Sequence, residues 1–173
     1  GISIEERMTW KRFWLVDPLD GTKEFIKKTG QFTVNIALIE NGESTLGVVL
    51  APASNLEYFG IRDKGAFKRE GVSNPIKINV GEVNINKLRI VASRDHAGPK
   101  ITTMLEKLPS AELVSMGSSL KFCLIAEGQA DLYPRFVPTM EWDTGAAQCI
   151  LEEAGGSICT LDGYRLKYAK RDL

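Results

Sequence analysis

The order of apolar runs and turns changes about halfway along this chain, and that change limits which folds the chain can adopt. The first half contains five short apolar runs, and the turns Asn41-Gly42 and Lys64-Gly65 each fall between two of them. Asn-Gly between apolar runs is typical of a two-residue β-hairpin, because both residues tolerate a positive φ. We therefore predict an antiparallel sheet with strands at 13–16, 32–39, 46–51, 56–61 and 66–69, the first ending at Asp17-Pro18.

Beyond about residue 83, strand-like runs alternate with helix-like runs. Strands are predicted at 88–92, 113–116 and 132–136, and helices at 99–108, 119–127 and 144–154. Such alternation is typical of an α/β layer. The predicted fold class is therefore α/β in the broad α+β sense. Residues 1–82 would form a partial α+β subdomain around the antiparallel sheet, and residues 83–173 an α/β subdomain.

Charge and composition restrict the partners. Lys+Arg and Asp+Glu both number 22, so the formal net charge is zero, which argues against a nucleic-acid polymer as ligand. No apolar run is long enough to span a bilayer, so no membrane insertion is expected. With one histidine and no C-x-x-C, a metal here would be a hard cation bound by oxygen. Three cysteines in apolar segments, Cys123, Cys149 and Cys159, are expected to be buried free thiols in a reducing cytoplasm.

An acidic turn, Asp17-Pro18-Leu19-Asp20-Gly21-Thr22, follows the first predicted strand. Two carboxylates three residues apart suit Mg²⁺. A short helix is predicted over 22–28, and the free N–H groups at a helix start attract phosphate. In the ordinary alternative, Asp20 caps this helix and Asp17 only stabilises the turn.

A second motif, Trp142-Asp143-Thr144-Gly145-Ala146-Ala147, opens the longest predicted helix, which ends before Gly155-Gly156. Asp143 alone would most often be a helix N-cap. The small residues at 145–147 allow close approach to a neighbouring element. Together with the acidic turn, Asp143 gives three carboxylates, a good basis for a two-metal phosphate site.

The two motifs in this order, D-P-L-D-G-T and then W-D-x-x-A-A with G-G, resemble the signature of the inositol monophosphatase superfamily. The stretches 14–25, 117–123 and 132–136 are most similar to its bacterial 3'(2'),5'-bisphosphate nucleotidase branch. The resemblance covers essentially the whole chain. It implies a sugar-phosphatase (inositol-monophosphatase-like) fold of layered helices and sheets, without that fold's N-terminal helices.

The resemblance also implies an activity and its residues. A cytoplasmic, Mg²⁺-dependent enzyme of sulfur metabolism would hydrolyse the 3'-phosphate of a small phosphorylated nucleotide, adenosine 3',5'-bisphosphate, to AMP and phosphate. Asp17, Asp20 and the Leu19 carbonyl would bind metal, Asp143 a second metal, and Thr22 would orient the attacking water. The implied substrate-binding residues are Gly21, Thr22, Ser93, His96, Gly117, Ser118, Ser119, Lys121 and Arg135.

Several alternatives stay open. Ser119 is equally explained as a helix cap, and Lys121 and Arg135 as surface charges. The same chemistry on inositol monophosphate or a sugar bisphosphate, or a truncated non-catalytic module that binds metal or phosphate, would also fit the motifs.

Family members carry a metal-binding glutamate and a water-activating Asp/Thr element before the acidic turn. We interpret Glu5-Glu6 as a solvated pair rather than as that glutamate. The chain is therefore expected to lack both elements and to be weakly active or inactive alone, with a homodimer as one open form of assembly.

Overall fold

A computed structural model describes residues 2–92 and 98–170 of the chain. Six strands form one antiparallel sheet in which each strand lies beside the one before it. They are β1 (Arg12–Asp20), β2 (Thr33–Glu40), β3 (Glu43–Ala51), β4 (Leu56–Ile61), β5 (Gly65–Glu70) and β6 (Ile76–Ile78). The predicted hairpin-linked sheet is confirmed, and β6 is an addition that the sequence patterns did not predict.

The β2–β3 turn has the conformation that its sequence predicts. Asn41 and Gly42 have φ values of 52° and 78°, and two consecutive positive values are typical of a type I′ hairpin turn. Glu40 lies opposite Glu43 directly across it. This turn sets the pairing of β2 and β3 at their shared end, and the register shifts between Leu38 and Ile39.

Strand β1 runs further than predicted. The prediction that it ends at Asp17-Pro18 is wrong, because the strand continues to Asp20 through a β-bulge. Asp17 lies opposite Asn35 and Asp20 opposite Thr33, so β1 holds one extra residue between these pairs. Proline has no N–H to give to a ladder and is tolerated at a bulge of an edge strand such as β1.

Five helices and a parallel strand pair complete the described part of the chain. The helices are α1 (Ile4–Met8), α2 (Thr22–Ile26), α3 (Pro99–Glu106), α4 (Leu120–Ala126) and α5 (Glu141–Glu153), and β7 (Arg89–Ala92) pairs with β8 (Glu112–Ser115). The α+β class is confirmed. Helix α1 was not predicted, and its Glu5 and Glu6 are exposed, as the solvated interpretation requires.

The strand predicted at 132–136 is wrong. Only Leu132 pairs there, through a single parallel bridge to Ile90. Pro134 supplies no N–H, so the segment cannot continue the ladder. It instead forms a wall of the cleft described below.

Helix α5 packs across one face of the sheet. Small residues on the helix and on the sheet let the two backbones approach closely. A Cβ added to Gly60 on β4, for example, would lie 2.8 Å from the Ile150 Cα on α5. Buried side chains from both elements form one core that includes Ala37, Ile39, Val49, Ala146, Ile150 and Leu151. The division at residue 82/83 stays a prediction, although α5 shares this core with the sheet.

The opposite face of the sheet also carries apolar side chains. Trp14, Val16, Ile36 and Ile61 are exposed on it. The sheet is thus apolar on both faces, unlike an antiparallel sheet with one solvated polar face. None of the helices in the described part of the chain is both long and apolar enough to cross a membrane.

The cysteines are free, but they are not all buried. Cys123 and Cys149 are buried, whereas Cys159 is exposed, so the prediction is wrong for that residue. Cys159 lies beyond the end of α5 and pairs with Arg165 in an isolated bridge, outside the core between helix and sheet.

The close contact between α5 and β4 gives a stability prediction. Gly60→Ala should lower the free energy of unfolding by about 1–3 kcal/mol, because the added methyl overpacks the core. Gly98→Ala should cost less, below about 1 kcal/mol for replacing glycine at the N-cap of α3, since no atom of the described residues lies within 4 Å of its added Cβ. Urea denaturation of both variants measures the difference, and an equal cost for the two would contradict this packing.

Candidate active site

The structure brings the three predicted carboxylates together. Oxygen atoms of Asp17, Asp20 and Asp143 all lie within 4.8 Å of one another. Asp17 and Asp20 come from the bulge in β1, and Asp143 comes from the first turn of α5. The packing of α5 on the sheet therefore assembles the group.

Asp143 is held by the start of its helix. The prediction that this helix begins at Thr144 is wrong: it begins at Glu141, which puts Asp143 in the third helical position. Its Oδ2 accepts hydrogen bonds from Thr139 Oγ1 at 2.6 Å and from the Met140 N–H at 3.1 Å. The Asp143 carboxylate thus gives a hydrogen-bond acceptor to the Met140 N–H at the N-cap, as a side chain at the third helical position often does.

The two carboxylates on β1 are each fixed by a backbone N–H group. Asp17 Oδ1 accepts from the Leu19 N–H at 3.0 Å, and Asp20 Oδ2 from the Ser119 N–H at 2.6 Å. The alternative in which Asp20 caps α2 is wrong, because the N-cap is Gly21. Gly21 has a φ of 85°, which glycine adopts without strain.

The electrostatics of the group favour a bound cation. Burial raises the pKa values of Asp17 and Asp20. The negative charge of Asp143 raises both further. The Leu19 N–H opposes the shift at Asp17, and Lys121 opposes it at Asp20. Three clustered carboxylates, with Lys121 as a cation acting on Asp20, still carry an excess of negative charge, which fits a hard divalent ion bound by oxygen. The residues present can thus hold a metal ion.

A cleft of about 580 Å³ opens beside the acidic group. Of the predicted site residues, those in its wall are Asp20, Gly21, Thr22, Ser118, Lys121 and Arg135. Gly117 and Ser119 lie behind the wall, where the Gly117 N–H donates to Gln31 Oε1 at 3.0 Å. Ser93 and His96 lie outside the described residues.

Lys121 is the buried cation of this cleft. It is 5% exposed, so the alternative that makes it a surface charge is wrong. Its Nζ donates to the Ser118 carbonyl at 2.6 Å and lies 5.3 Å from the centre of the Tyr133 ring. Burial lowers its pKa, while the Asp20 carboxylate opposes that shift.

The remaining predicted residues differ in their surroundings. Arg135 is exposed and donates to Tyr133 Oη at 3.1 Å and to the Pro138 carbonyl at 3.3 Å. Ser118 has a φ of 50°, and its buried Oγ has no hydrogen-bond partner within the described ranges. Ser119 is the N-cap residue of α4, as that alternative expects, although its side chain makes no capping hydrogen bond.

Sequence reasoning missed several residues around the site. Tyr133, Phe136 and Lys100 line the cleft, and Lys100 Nζ lies 5.6 Å from the Phe136 ring centre. Thr33 and Asn35 are buried on β2, where Thr33 lies opposite Asp20 and Asn35 opposite Asp17. The available signal was polar residues at alternate positions of an otherwise apolar strand, which places both on its buried face.

Comparisons with known proteins agree with this geometry. The family model "Inositol monophosphatase family" matches residues 1–173. The 3'(2'),5'-bisphosphate nucleotidase CysQ of Salmonella typhimurium is 48% identical over 169 residues, which cover 97% of this chain and 67% of that protein. The protein of the same name from Buchnera aphidicola is 49% identical over 160 residues, 92% of this chain and 59% of that protein.

Solved structures give the same result. The crystal structure of CysQ from Bacteroides thetaiotaomicron, described as a bacterial member of the inositol monophosphatase family, has a TM-score of 0.90 and 39% sequence identity. The match covers 100% of this chain and 70% of that one. An inositol monophosphatase from Anabaena has a TM-score of 0.76 at 26% identity, over 91% of this chain and 66% of that one. The chain belongs to the inositol monophosphatase family.

Proposed function

We propose that this chain carries the catalytic site of a Mg²⁺-dependent phosphomonoesterase that converts adenosine 3',5'-bisphosphate to AMP and phosphate. The observation that carries the proposal is the group of three carboxylates within 4.8 Å of one another beside a cleft. Relatives that are 48% identical over 97% of the chain are named 3'(2'),5'-bisphosphate nucleotidase, which supports this choice of substrate.

The cleft has the chemistry of a nucleotide site. Its volume of about 580 Å³ is typical of small-molecule pockets. Lys121 and Arg135 offer positive charge to a second phosphate, and the rings of Tyr133 and Phe136 offer apolar surface to a base. Inositol monophosphate has neither a second phosphate nor a base, so these walls favour the nucleotide.

The roles proposed for the residues follow their positions. Asp17, Asp20 and the Leu19 carbonyl would hold one Mg²⁺ and Asp143 a second, and bound Mg²⁺ would neutralise phosphate charge and acidify water. Thr22 is the last residue of the acidic turn, lies on the cleft wall and would orient the water that attacks phosphorus. The water oxygen bonds to phosphorus as the bond between phosphorus and the 3' oxygen breaks. A proton from the water passes to the 3' oxygen, which leaves as the hydroxyl of AMP, and phosphate is released.

The proposal includes a cellular setting. The buried free thiols of Cys123 and Cys149 support a reducing compartment such as the cytoplasm. The exposed apolar side chains Trp14, Val16 and Ile36 on the outer sheet face support association of two copies into a homodimer. A role in sulfur metabolism rests on the resemblance alone.

Phosphate release tests the activity. We expect release from adenosine 3',5'-bisphosphate to require Mg²⁺, to stop in EDTA and to exceed release from inositol 1-phosphate. Asp143→Asn should reduce it by about 100-fold or more, since single transition-state contacts at such sites are worth that much. Faster release from inositol 1-phosphate would overturn the substrate assignment. Because the chain is expected to be weakly active or inactive alone, the assay is repeated with the N-terminal segment of a family member joined to it. Mg²⁺ binding without release from either compound in both forms would overturn the catalytic proposal in favour of a binding module.

The carboxylate group also predicts a dependence of stability on pH. The pKa values of Asp17 and Asp20 are raised from their ordinary value of 3.8 in the folded chain. Their ionised forms therefore destabilise the metal-free fold, and this penalty is relieved as the pH falls through the folded-state pKa values.

In EDTA at neutral pH, Asp20→Asn should accordingly unfold at a higher urea concentration than the unmodified chain, and the difference should shrink as the pH is lowered to about 4. Asp162→Asn, which changes an exposed carboxylate in a turn, is the matched control and should show no such gain. An Asp20→Asn chain no more stable than the unmodified one would contradict the repulsion.

A further inference from the structure

Three polar side chains form a continuous buried chain beneath the acidic group. Thr33, Asn35 and Ser119 are 0%, 1% and 1% exposed. Ser119 Oγ lies 2.8 Å from Thr33 Oγ1 and 2.7 Å from Asn35 Oδ1. Polar groups so deeply buried are costly unless they are hydrogen-bonded, so their grouping here requires an explanation.

The chain of polar groups ends on Asp20. Thr33 Oγ1 lies 3.5 Å from Asp20 Oδ2, the same oxygen that accepts the Ser119 N–H at 2.6 Å. Thr33 and Asn35 belong to β2, whereas Ser119 comes from the loop before α4. The group therefore joins the sheet to the loop that carries Ser118, and to the start of α4, which carries Lys121; both residues line the cleft.

The unpaired amide of Asn35 indicates in which direction the three buried side chains donate their hydrogen bonds. Ser119 Oγ donates to Asn35 Oδ1 at 2.7 Å, which leaves the buried Asn35 Nδ2 without a hydrogen-bond partner within the described ranges. A half-turn of the Asn35 amide would bring Nδ2 to Ser119 Oγ, and an unpaired buried carbonyl is better tolerated than an unpaired buried N–H. Ser119 could then donate to Thr33, and Thr33 to Asp20. Every proton in this order points toward a carboxylate, which can only accept.

We propose that Asn35, Ser119 and Thr33 are positioning residues that donate in this order toward Asp20 and fix its carboxylate for metal binding. This inference rests on the proposed function, because it takes Asp20 as a metal ligand. It assigns Ser119 to the support of Asp20 rather than to substrate, in line with its place behind the cleft wall.

The support is needed because Asp20 would otherwise turn away from its neighbours. It lies next to two further carboxylates, and like charges repel more strongly in a partly buried site. Partners that orient a metal ligand typically change metal affinity by about 10- to 100-fold when they are removed. The Thr33 hydroxyl is the last donor before Asp20, so its removal tests both the support and its direction.

The experiment compares Thr33→Val, which removes this hydroxyl at nearly constant shape, with Thr33→Ser, which keeps it. Isothermal titration with Mg²⁺ gives the dissociation constant, and circular dichroism in EDTA gives the Tm of each chain. We expect Thr33→Val to raise the dissociation constant about 10-fold or more and Thr33→Ser to stay within about threefold of the unmodified chain.

Thr45→Val is the matched control, since Thr45 is also a buried threonine of the same sheet, with its Oγ1 donating to the Leu38 carbonyl at 3.3 Å. It should lower the Tm without changing Mg²⁺ affinity. Ser119→Ala removes the donor that directs the Thr33 hydroxyl toward Asp20 and should raise the Mg²⁺ dissociation constant by less than Thr33→Val but by more than Thr45→Val. It keeps the test open if Thr33→Val does not fold.

The outcomes separate the inference from the proposed function. An unmodified chain that binds Mg²⁺ while Thr33→Val binds it equally well overturns the inference alone, even if the Tm falls. An unmodified chain that binds no Mg²⁺ overturns both. A loss of affinity in Thr33→Val that Thr33→Ser restores supports the positioning role.

Discussion

The mutual repulsion of three carboxylates is the constraint on which the rest of the site depends. Asp17, Asp20 and Asp143 are held within 4.8 Å of one another, although burial and like charge disfavour the ionised forms of Asp17 and Asp20. Each carboxylate accepts a hydrogen bond that holds it in place. Asp17 accepts from an N–H within the bulge, Asp20 from an N–H of the loop before α4, and Asp143 from donors just before α5. The fold thus keeps a cation-binding arrangement that would separate without these contacts.

The packing of α5 on the sheet links the core to the chemistry. Gly60 and the small residues of α5 set how closely the helix approaches, and that approach decides where Asp143 meets the bulge. A core substitution that lifts the helix would also move one of the three carboxylates. Stability and metal binding should for this reason respond together to changes at the helix–sheet contact, even when the changed residue lies far from the cleft.

Sequence alone predicted the sheet, the class and the three carboxylates, because turn residues and motif spacing are local signals. It missed the bulge in β1, because a proline after an apolar run is typical of a strand end. Only the pairing with β2 shows that the strand continues. It also missed Thr33 and Asn35, whose importance arises only when the Ser119 loop folds over them. Contacts between residues about 85 positions apart, such as Asn35 and Ser119, leave no trace in local patterns. The roles carried over from the family for Thr22, Ser118 and Arg135 stay predictions.

The most direct test of the account is the anomalous diffraction of crystals soaked in Mn²⁺, which replaces Mg²⁺ at oxygen sites. The account predicts an anomalous peak bounded by the carboxylates of Asp17, Asp20 and Asp143, and the loss of that peak in Asp20→Asn crystals. A well-occupied Mn²⁺ held elsewhere, or no peak between these carboxylates at saturating Mn²⁺, would contradict the claim that the group is a metal site.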